Sequence, residues 1–581
     1  MKVVIVGGVA GGASAAARLR RLDETAEIII FERSGFVSYA NCGLPYYIGG
    51  IIGDEDELTL QTPESFRSRF NIDVRVRHEV TSVNRGSKTV TVTDLSSGKS
   101  FEESYDKLVL SPGASAVKPP LPGIEGDKIY TLRTVEDTFK LKAAVSSVVN
   151  NSVSKKGGTS DGCEEHKGGA PSAVVIGGGF IGVETAENLK ESGFEVTVVE
   201  RLGQLLSQFD GDMASFVHSY ICKRGIKLML GTSVAGFEQS GRGVRVILEN
   251  REPIEADMAV LAIGVAPESG LAKSAGLELG LKNSIAVNEH MQTSDPDIYA
   301  VGDAVQIKNF VTGQNALISL AGPANKQGRI AADNIAGIKS VYKGSAASSV
   351  LKIFGMAAAS TGINERAANT AGIKYGKVIL SPVSHASYYP GGSVMTVKLL
   401  FEIPSERILG AQIIGADGVD KRIDVLAAAM QAGMKVTALK DLDLAYAPPF
   451  SSAKDPVNMA GFIAENVLAG RVKQFFYEDL ATLPREGVTL LDTRTAAEYS
   501  RGHAGGFELN IPVDELRERL SELDRNKPVY VMCQSGLRSY IACRILEANG
   551  FTAYNFAGGY RFYESNANNR FDETCKTSCG L

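Results

Sequence analysis

The chain has 581 residues, 44% hydrophobic and 22% charged, with a formal net charge of −5 at pH 7. This ordinary, weakly acidic composition excludes collagen, coiled-coil and disordered classes and argues against a nucleic-acid partner. No run of about 18 apolar residues occurs, so no membrane span is expected. The length predicts roughly three to five domains, each with its own core. Met1 leads straight into a strand and not into a signal peptide, so a cytoplasmic location is expected. The seven cysteines are Cys42, Cys163, Cys222, Cys533, Cys543, Cys575 and Cys579. So odd and sparse a set is no disulfide framework, and its spacings suit no zinc site, so no metal is expected.

In chain order, the first element is the apolar run Val3–Val6, ending in Gly7-Gly8-Val9-Ala10-Gly11-Gly12. A helical period follows from Gly12 to about Leu22, then a strand over Glu27–Glu32. Gly7 permits a tight turn, Gly12 lets helix and strand approach, and the helix N-terminus offers N–H groups to a pyrophosphate. Glu32, twenty residues after Gly12, is placed to accept from ribose hydroxyls. Val9 stands where the usual pattern has its middle glycine, so a plain βαβ turn stays open. After the strand Leu108–Leu110 comes Ser111-Pro112-Gly113-Ala114. The stretch 150–170 is rich in Gly, Ser and Lys without apolar period and reads as a flexible insertion near 151–171.

A second, complete turn, Gly177-x-Gly179-x-x-Gly182, follows the strand Ala173–Ile176, with Glu200 closing the next strand. That is a dinucleotide fingerprint. Glu200 repels a 2′-phosphate, leaning the choice from NADPH toward NADH, and Arg201 blunts that lean. Two such units suggest two dinucleotides, one resident and one passing. The late strand Thr293–Asp303 ends in Gly302-Asp303, which can aim a carboxylate at a ribityl chain. Residues 345–470 mix short strands with helices over Lys421–Ala432 and Val457–Leu468. Beyond about 475 a small α/β domain is expected, with strands Val488–Leu491 and Val529–Met532 and helices near Val513–Leu523 and Leu537–Asn549.

On these motifs residues 1–465 resemble the FAD-dependent pyridine nucleotide–disulfide oxidoreductases. The resemblance implies FAD held by Gly7, Gly11, Gly12, Glu32, Arg33, Ser111, Gly113, Gly302 and Asp303, and NADH or NADPH at Gly177, Gly179, Gly182 and Glu200. The expected fold is α/β: two Rossmann-like domains, an α+β dimerisation domain and a small C-terminal α/β domain. The boundaries read 1–115 and 289–342 for the FAD part, 116–288 for the NAD(P) part and 343–472 for dimerisation. A last domain spans 473–566, and 567–581 is a tail.

Most of that family keep a Cys-x4-Cys pair by the flavin. Here Ser38-Tyr39-Ala40-Asn41-Cys42-Gly43-Leu44-Pro45-Tyr46-Tyr47 holds one cysteine. A lone thiol works through a mixed disulfide, a persulfide or a sulfenic acid, unless it is a buried structural cysteine. The stretch is similar to that of the coenzyme A–disulfide reductases and their persulfide-reducing relatives. That likeness makes Cys42 the nucleophile, with Ser38 and Asn41 beside it. Peroxide-reducing relatives carry a histidine where this chain has Ala10, which argues against a peroxidase.

Coenzyme A needs cations for its phosphates. Arg18, Arg20 and Arg21 on the first helix supply them, or form a solvated face; the candidate set here is Ser14, Arg18 and Arg21. The resemblance also brings Tyr388, Tyr446 and Lys454 from a partner subunit over the site, implying a homodimer. The alternative is that the tyrosines only pack at that interface.

Asp492-Thr493-Arg494, Glu498, His503, Asn510 and Cys533-Gln534-Ser535-Gly536-Leu537-Arg538-Ser539 resemble a rhodanese domain. N–H groups of the 534–538 loop and the following helix favour a thiolate or persulfide anion on Cys533, with Arg538 adding charge. Four residues between Cys533 and Arg538 suit sulfur transfer better than phosphate, and an inactive loop is the remaining option. Cys575 and Cys579 form a loose Cys-x3-Cys on the tail, a sulfur shuttle or a frayed end.

The combined expectation is an FAD-dependent, NAD(P)H-linked reductase of coenzyme A persulfide, coenzyme A disulfide or polysulfide, working through Cys42 and coupled to sulfur transfer at Cys533. Its rivals are an NADH oxidase cycling through a sulfenic acid, and a sulfurtransferase with a structural flavin domain.

Overall fold

The computed structural model describes residues 1–156, 170–484 and 486–567. Cys163 and the Cys575/Cys579 tail lie outside the described residues. The chain divides into two compact units, Met1–Arg201 with Thr232–Ala347, and Leu202–Gly231 with the chain from Ser348 onward.

The first unit contains two parallel sheets. One runs Ile298–Ala300, Lys107–Leu110, Lys2–Val6, Glu27–Glu32, Asp73–Val76. The inner strands are apolar on both faces, as a sheet covered on both sides requires, with Val3, Val4, Ile5, Ile30 and Leu108 fully buried, while the edge strand Asp73–Val76 alternates charged and apolar residues. The order has a consequence for function. Ile298–Ala300 pairs beside Lys107–Leu110, so Gly302-Asp303, Ser111 and the Gly7 turn emerge together at the carboxyl end of one sheet. Open α/β sheets bind their ligands at that edge. The second sheet sets Ser172–Ile176 between Glu195–Glu200 and Met258–Leu261, with Ile129–Thr131 outside the latter.

One expectation needs correcting here. The helix Val135–Lys156 runs through residues that the composition assigned to the insertion. Nothing in 150–156 breaks a helix; the first strong breakers are Gly157 and Gly158. Residues 157–169 of the insertion lie outside the described residues.

The second unit holds an antiparallel sheet in the order Ser349–Ile353, Met356–Gly362, Ile408–Gly415, Thr396–Glu402, Tyr375–Leu380. Its helices include Val419–Gln431 and Pro456–Leu468. A second, parallel sheet follows in the order Lys473–Phe475, Ala553–Phe556, Val529–Met532, Thr489–Asp492, Leu509–Asn510. The helix expected over Val513–Leu523 does not form. That stretch is a succession of three-residue turns, such as Leu516 N–H to Val513 O and Arg519 N–H to Leu516 O, closed by a short 3₁₀ turn at Leu520–Glu522. Val513, Leu516 and Leu523 still reach the core, because a three-residue repeat buries nearly the same positions as a helix; periodicity alone could not separate the two.

Two buried charge centres organise this unit. Lys398 is fully buried, its ammonium 2.7 Å from Asp212 and 3.0 Å from Asp210, with Glu365 also in contact. Burial pushes this lysine down, but the Asp212, Asp210 and Glu365 carboxylates outweigh it and hold it above its usual range. The carboxylates lie close enough together to hold a metal ion, but Lys398 already supplies the cation. The other centre is Arg422, whose Nη2 donates to Ser384 O at 2.9 Å, Ser451 Oγ at 3.1 Å and Phe450 O at 3.2 Å, and pairs with Asp455 at 3.0 Å. It ties the 384–390 and 446–455 loops together.

Removing the Arg422 head leaves the buried Asp455 with only the more distant Lys421 as a charge partner. Arg422→Met is expected to destabilise by about 3–5 kcal/mol. Lys421→Ala, which removes a more distant partner of Asp455 at 3.7 Å, should cost no more than about 1 kcal/mol. Denaturation followed by circular dichroism separates the two variants; equal midpoints would contradict this reading.

Candidate active site

The turn after Lys2–Val6 has Gly7 at φ +92°, and a Cβ there would meet Ser111 O at 2.1 Å. A Cβ on Gly12 would meet Gly7 O at 1.9 Å, and one on Gly11 would meet Val301 at 2.9 Å. Side chains are therefore excluded where the loops carrying Ser111 and Gly302 close on the turn. Glu32 braces this arrangement: Gly8 N–H donates to its Oε2 at 2.8 Å and Ser34 N–H to its Oε1 at 2.9 Å. The expected ribose acceptor thus also orders the turn. The second fingerprint repeats the device, with Gly178 N–H donating to Glu200 Oε2 at 2.6 Å. Gly177 has φ +108°, a Cβ on Gly182 would meet Gly177 O at 1.9 Å, and one on Gly179 would meet nothing within 4 Å. A side chain at Gly179 would project into the open space that a pyrophosphate needs.

Gly7, Gly11, Glu32, Arg33, Ser111, Gly113, Gly302 and Asp303 line one cavity of about 710 Å³, together with Asn41 and Cys42. Its size lies within the range of cofactor sites. The side-chain-free turn, the helix N-terminus at Ala10 and the carboxylates at its two ends fit a dinucleotide. Gly12 packs behind the turn and does not line the cavity. Arg33 lies across it, paired with Glu268 at 3.2 Å.

Cys42 sits in a short 3₁₀ turn, Asn41–Gly43, and is exposed. It is the only cysteine among the described residues of its unit. Sequence reasoning missed the residue that organises its surroundings, Arg133. The guanidinium donates from Nη2 to Asp303 Oδ2 at 2.7 Å and from Nε to Ala114 O at 2.8 Å. The Asn41 amide closes the third side: its nitrogen donates to Arg133 O at 3.0 Å and its oxygen accepts from Nη1 at 3.2 Å. Arg133 follows the strand Ile129–Thr131, and no motif marked it. Glu184, on the helix Phe180–Glu191, was missed too; Tyr46 donates to it at 3.3 Å. Burial pushes Glu184 up to about 7, against that hydrogen bond. The surrounding protein also pushes the Cys42 thiol up, first by desolvation and then through Glu184 and Asp303, with Arg133 opposing.

Beside this site a second cavity of about 350 Å³ gathers Ser14, Arg18, Arg21 and Ser38. Arg18 pairs with Asp333 at 2.7 Å. Arg329 joins them, which the sequence reading did not foresee. The helix Ala321–Ile335 packs closely on Ala10–Leu22 because a Cβ on Gly328 would meet Gly11 O at 2.3 Å, and Arg329 follows that contact. The run of Gly322, Ala324, Gly328, Ala331 and Ala332 was the available signal of close helix packing. Ser38 lines this cavity while Asn41 and Cys42 line the first, so five residues of chain join the two.

In the second unit the Tyr388 and Tyr446 hydroxyls lie 2.7 Å apart, on the two loops that Arg422 ties together, and Lys454 is exposed nearby in sequence. Cys533 ends the strand Val529–Met532 and is buried. Its Sγ accepts from Gly536 N–H at 3.1 Å and from Ser539 Oγ at 3.2 Å. Gly536, at φ +97°, caps the twelve-residue helix Leu537–Ala548. Gln534 and Ser535 complete the loop, and Leu537 is exposed. Arg538 differs from expectation: both its Nη atoms lie 2.7 Å from Glu498. Its charge is offset, and the positive field at sulfur comes mainly from N–H groups and the helix end. A buried Arg494–Asp492 pair lies alongside, the guanidinium 3.8 Å from the Tyr560 ring centroid.

Residues 1–328 match the family model of the pyridine nucleotide-disulphide oxidoreductases, 348–456 that family's dimerisation domain and 477–566 the rhodanese-like domain. The chain belongs to the pyridine nucleotide-disulphide oxidoreductase family, whose cofactors are FAD and NAD(H). It is similar over 97% of its length, at 46% identity and TM-score 0.91, to the crystal structure of reduced CoADR-RHD of Bacillus anthracis, covering 98% of that chain. A NAD-dependent persulfide reductase from A. fulgidus is 37% identical with TM-score 0.88, over 97% of this chain and all of that one. The coenzyme A disulfide reductase of Staphylococcus aureus (strain JH9) is 35% identical over 465 residues, 80% of this chain and its own whole length.

Because Cys42 is pushed up, its alkylation should rise at higher pH than that of a free thiol. Glu184→Gln should move the profile to lower pH and Arg133→Met to higher pH, read by peptide mass spectrometry. Opposite shifts would contradict the assignment of these charges.

Proposed function

We propose that the protein uses NADH to reduce the sulfur–sulfur bond of coenzyme A persulfide, coenzyme A disulfide or a polysulfide through Cys42, and that Cys533 carries sulfane sulfur by rhodanese-type transfer. The observation that carries this reading is a lone, exposed thiol in the cavity that holds the flavin-type residues, five residues or fewer from an arginine-lined cavity. The relatives named above support the substrate class. The NADH oxidase and the transferase with an idle flavin part are not favoured.

FAD would be held by the Gly7 turn, Glu32, Ser111 and Asp303, and when bound it supplies the two-electron transfer from the nicotinamide to sulfur. The chain's own residues do the rest. Arg21 and Arg329 hold coenzyme A phosphates by paired donors, with Arg18 braced by Asp333. Ser38 guides the thiol arm toward Asn41 and Cys42. Cys42 attacks as thiolate; a Cys42–sulfur bond forms, the substrate sulfur–sulfur bond breaks, and coenzyme A thiolate or hydrosulfide leaves. Two electrons and a proton then return Cys42 to its thiolate and free the second product. Arg133 keeps Asp303 and Asn41 in register throughout. Glu200 disfavours a 2′-phosphate, so NADH is preferred. The surface bearing Tyr388, Tyr446 and Lys454 serves a homodimer in which each chain covers its partner's site. The protein works in the cytoplasm.

Cys42→Ser should abolish NADH-dependent sulfide or thiol release while FAD stays bound, and Cys533→Ala should spare reduction of coenzyme A disulfide but remove sulfur transfer from thiosulfate. Wild-type turnover by Cys42→Ser would overturn the proposal. Arg21→Ala together with Arg329→Ala should raise the KM for coenzyme A disulfide about a hundredfold, as expected if two phosphate contacts of about 1.5 kcal/mol each are lost, with little change for a short inorganic polysulfide.

A further inference from the structure

Cys533 lies above a short chain of hydrogen bonds. Ser539 Oγ is 3.2 Å from Cys533 Sγ and also 3.2 Å from Gly536 O. A hydroxyl has one proton and two acceptor positions, so it can donate fully to only one of these at a time. Gly536 O also accepts from Tyr540 N–H at 3.2 Å and from Asn555 Nδ2 at 3.3 Å, two donors that fill its two lone pairs without Ser539. Asn555 lies on the strand Ala553–Phe556, and is itself buried. Its Oδ1 is a buried acceptor without a partner among the described residues. An orphaned buried acceptor costs free energy, so a buried asparagine in a strand whose neighbours Ala553 and Phe556 are core residues calls for a reason. Its amide nitrogen is given to Gly536 O.

We infer that Ser539 is a two-position hydroxyl that follows the protonation of Cys533, and that Asn555 is the positioning residue that frees it to do so. With Cys533 as a thiol, S–H donates to Ser539 Oγ and the Ser539 proton rests on Gly536 O. When the sulfur loses its proton, the Ser539 O–H turns onto Sγ, and Asn555 takes the place of the hydroxyl on Gly536 O beside the Tyr540 N–H. Gly536 therefore stays at φ +97° with its N–H on the sulfur in both states. No bond to carbon or sulfur is made or broken in this step; one proton leaves Cys533 to solvent and one hydroxyl rotates.

The other charged or titratable groups around the loop do not duplicate this role. Arg538 is paired with Glu498, and Arg494 with Asp492. Tyr560, whose N–H donates to Cys533 O at 2.7 Å, has the Arg494 guanidinium over its ring. Cys543, further along the same helix, is buried and packs in the domain core. Each of these would be left unchanged by substituting Ser539.

This inference rests on Cys533 acting as the sulfur carrier, and its test does not depend on transfer activity. The rate of Cys533 alkylation by iodoacetamide is followed against pH in the full-length holoenzyme, with peptide mass spectrometry to isolate Cys533 from the other thiols. Ser539→Ala should move the midpoint up by about one unit, the worth of a hydrogen bond to a charged group, and Ser539→Thr should restore it. Asn555→Ala should move it in the same direction by less, because Gly536 O then competes for the hydroxyl. In the Ser539→Ala background the Asn555→Ala shift should vanish. An unshifted profile for Ser539→Ala overturns the inference, as does an Asn555→Ala shift that persists in the double variant, since a merely structural role would add. Loading of Cys533 from thiosulfate, measured separately by mass, tests the sulfur-carrier reading itself; its failure with the pH shifts intact would refute that reading alone.

Discussion

A thiol with no second thiol in reach cannot store an electron pair as its own disulfide. Everything at the Cys42 site is arranged around that constraint. Among the described residues no second cysteine lies beside it, and the turn that carries Cys42 leaves it exposed to an oxidised partner from solution. The protein nevertheless resists ionisation of the sulfur, first by desolvation and then through Glu184 and Asp303, with Arg133 opposing. Arg133 moderates this by fixing Asp303 with one nitrogen and Asn41 with another. One side chain thereby couples the carboxylate at the cofactor end of the cavity to the segment that presents the nucleophile.

The two sulfur centres are built differently. Cys42 lies in an open cavity and is tuned by side-chain charges. Cys533 lies buried at the floor of a loop and accepts from one backbone N–H and one hydroxyl. The first arrangement suits attack on a bulky substrate held nearby. The second suits storage of a small anionic sulfur species, since N–H dipoles stabilise the anion without introducing an acid that would protonate it. Arg538, tied to Glu498, holds the loop's outer wall and adds little net charge.

Much of this was legible in the residues. The glycine turns, the late Gly302-Asp303 and the solitary Cys42 carry enough local pattern to place the fold and the class of chemistry. The cavities then gathered most of the residues singled out. What escaped was long-range. Arg133, Glu184 and Arg329 reach the sites only because particular strands and helices pack together, and none sits in a motif. Arg329 depends on the helix contact at Gly328, and Arg422 on two loops 28 and 38 residues away in sequence. The missed helix at 513–523 failed for another reason: a chain of three-residue turns presents Val513, Leu516 and Leu523 to the core as a helix would. The helix Val135–Lys156 enters the stretch expected as an insertion because polar composition alone does not break a helix. Among the described residues no helix is long and apolar enough to cross a membrane.

The central claim is that Cys42 alone takes up the substrate's sulfur. It is tested most directly by mixing the reduced holoenzyme with one equivalent of coenzyme A disulfide and locating the adduct by peptide mass spectrometry before and after NADH. One coenzyme A on Cys42, removed by NADH, is the predicted result. An adduct confined to another cysteine, or one on Cys42 that NADH leaves in place, would contradict it.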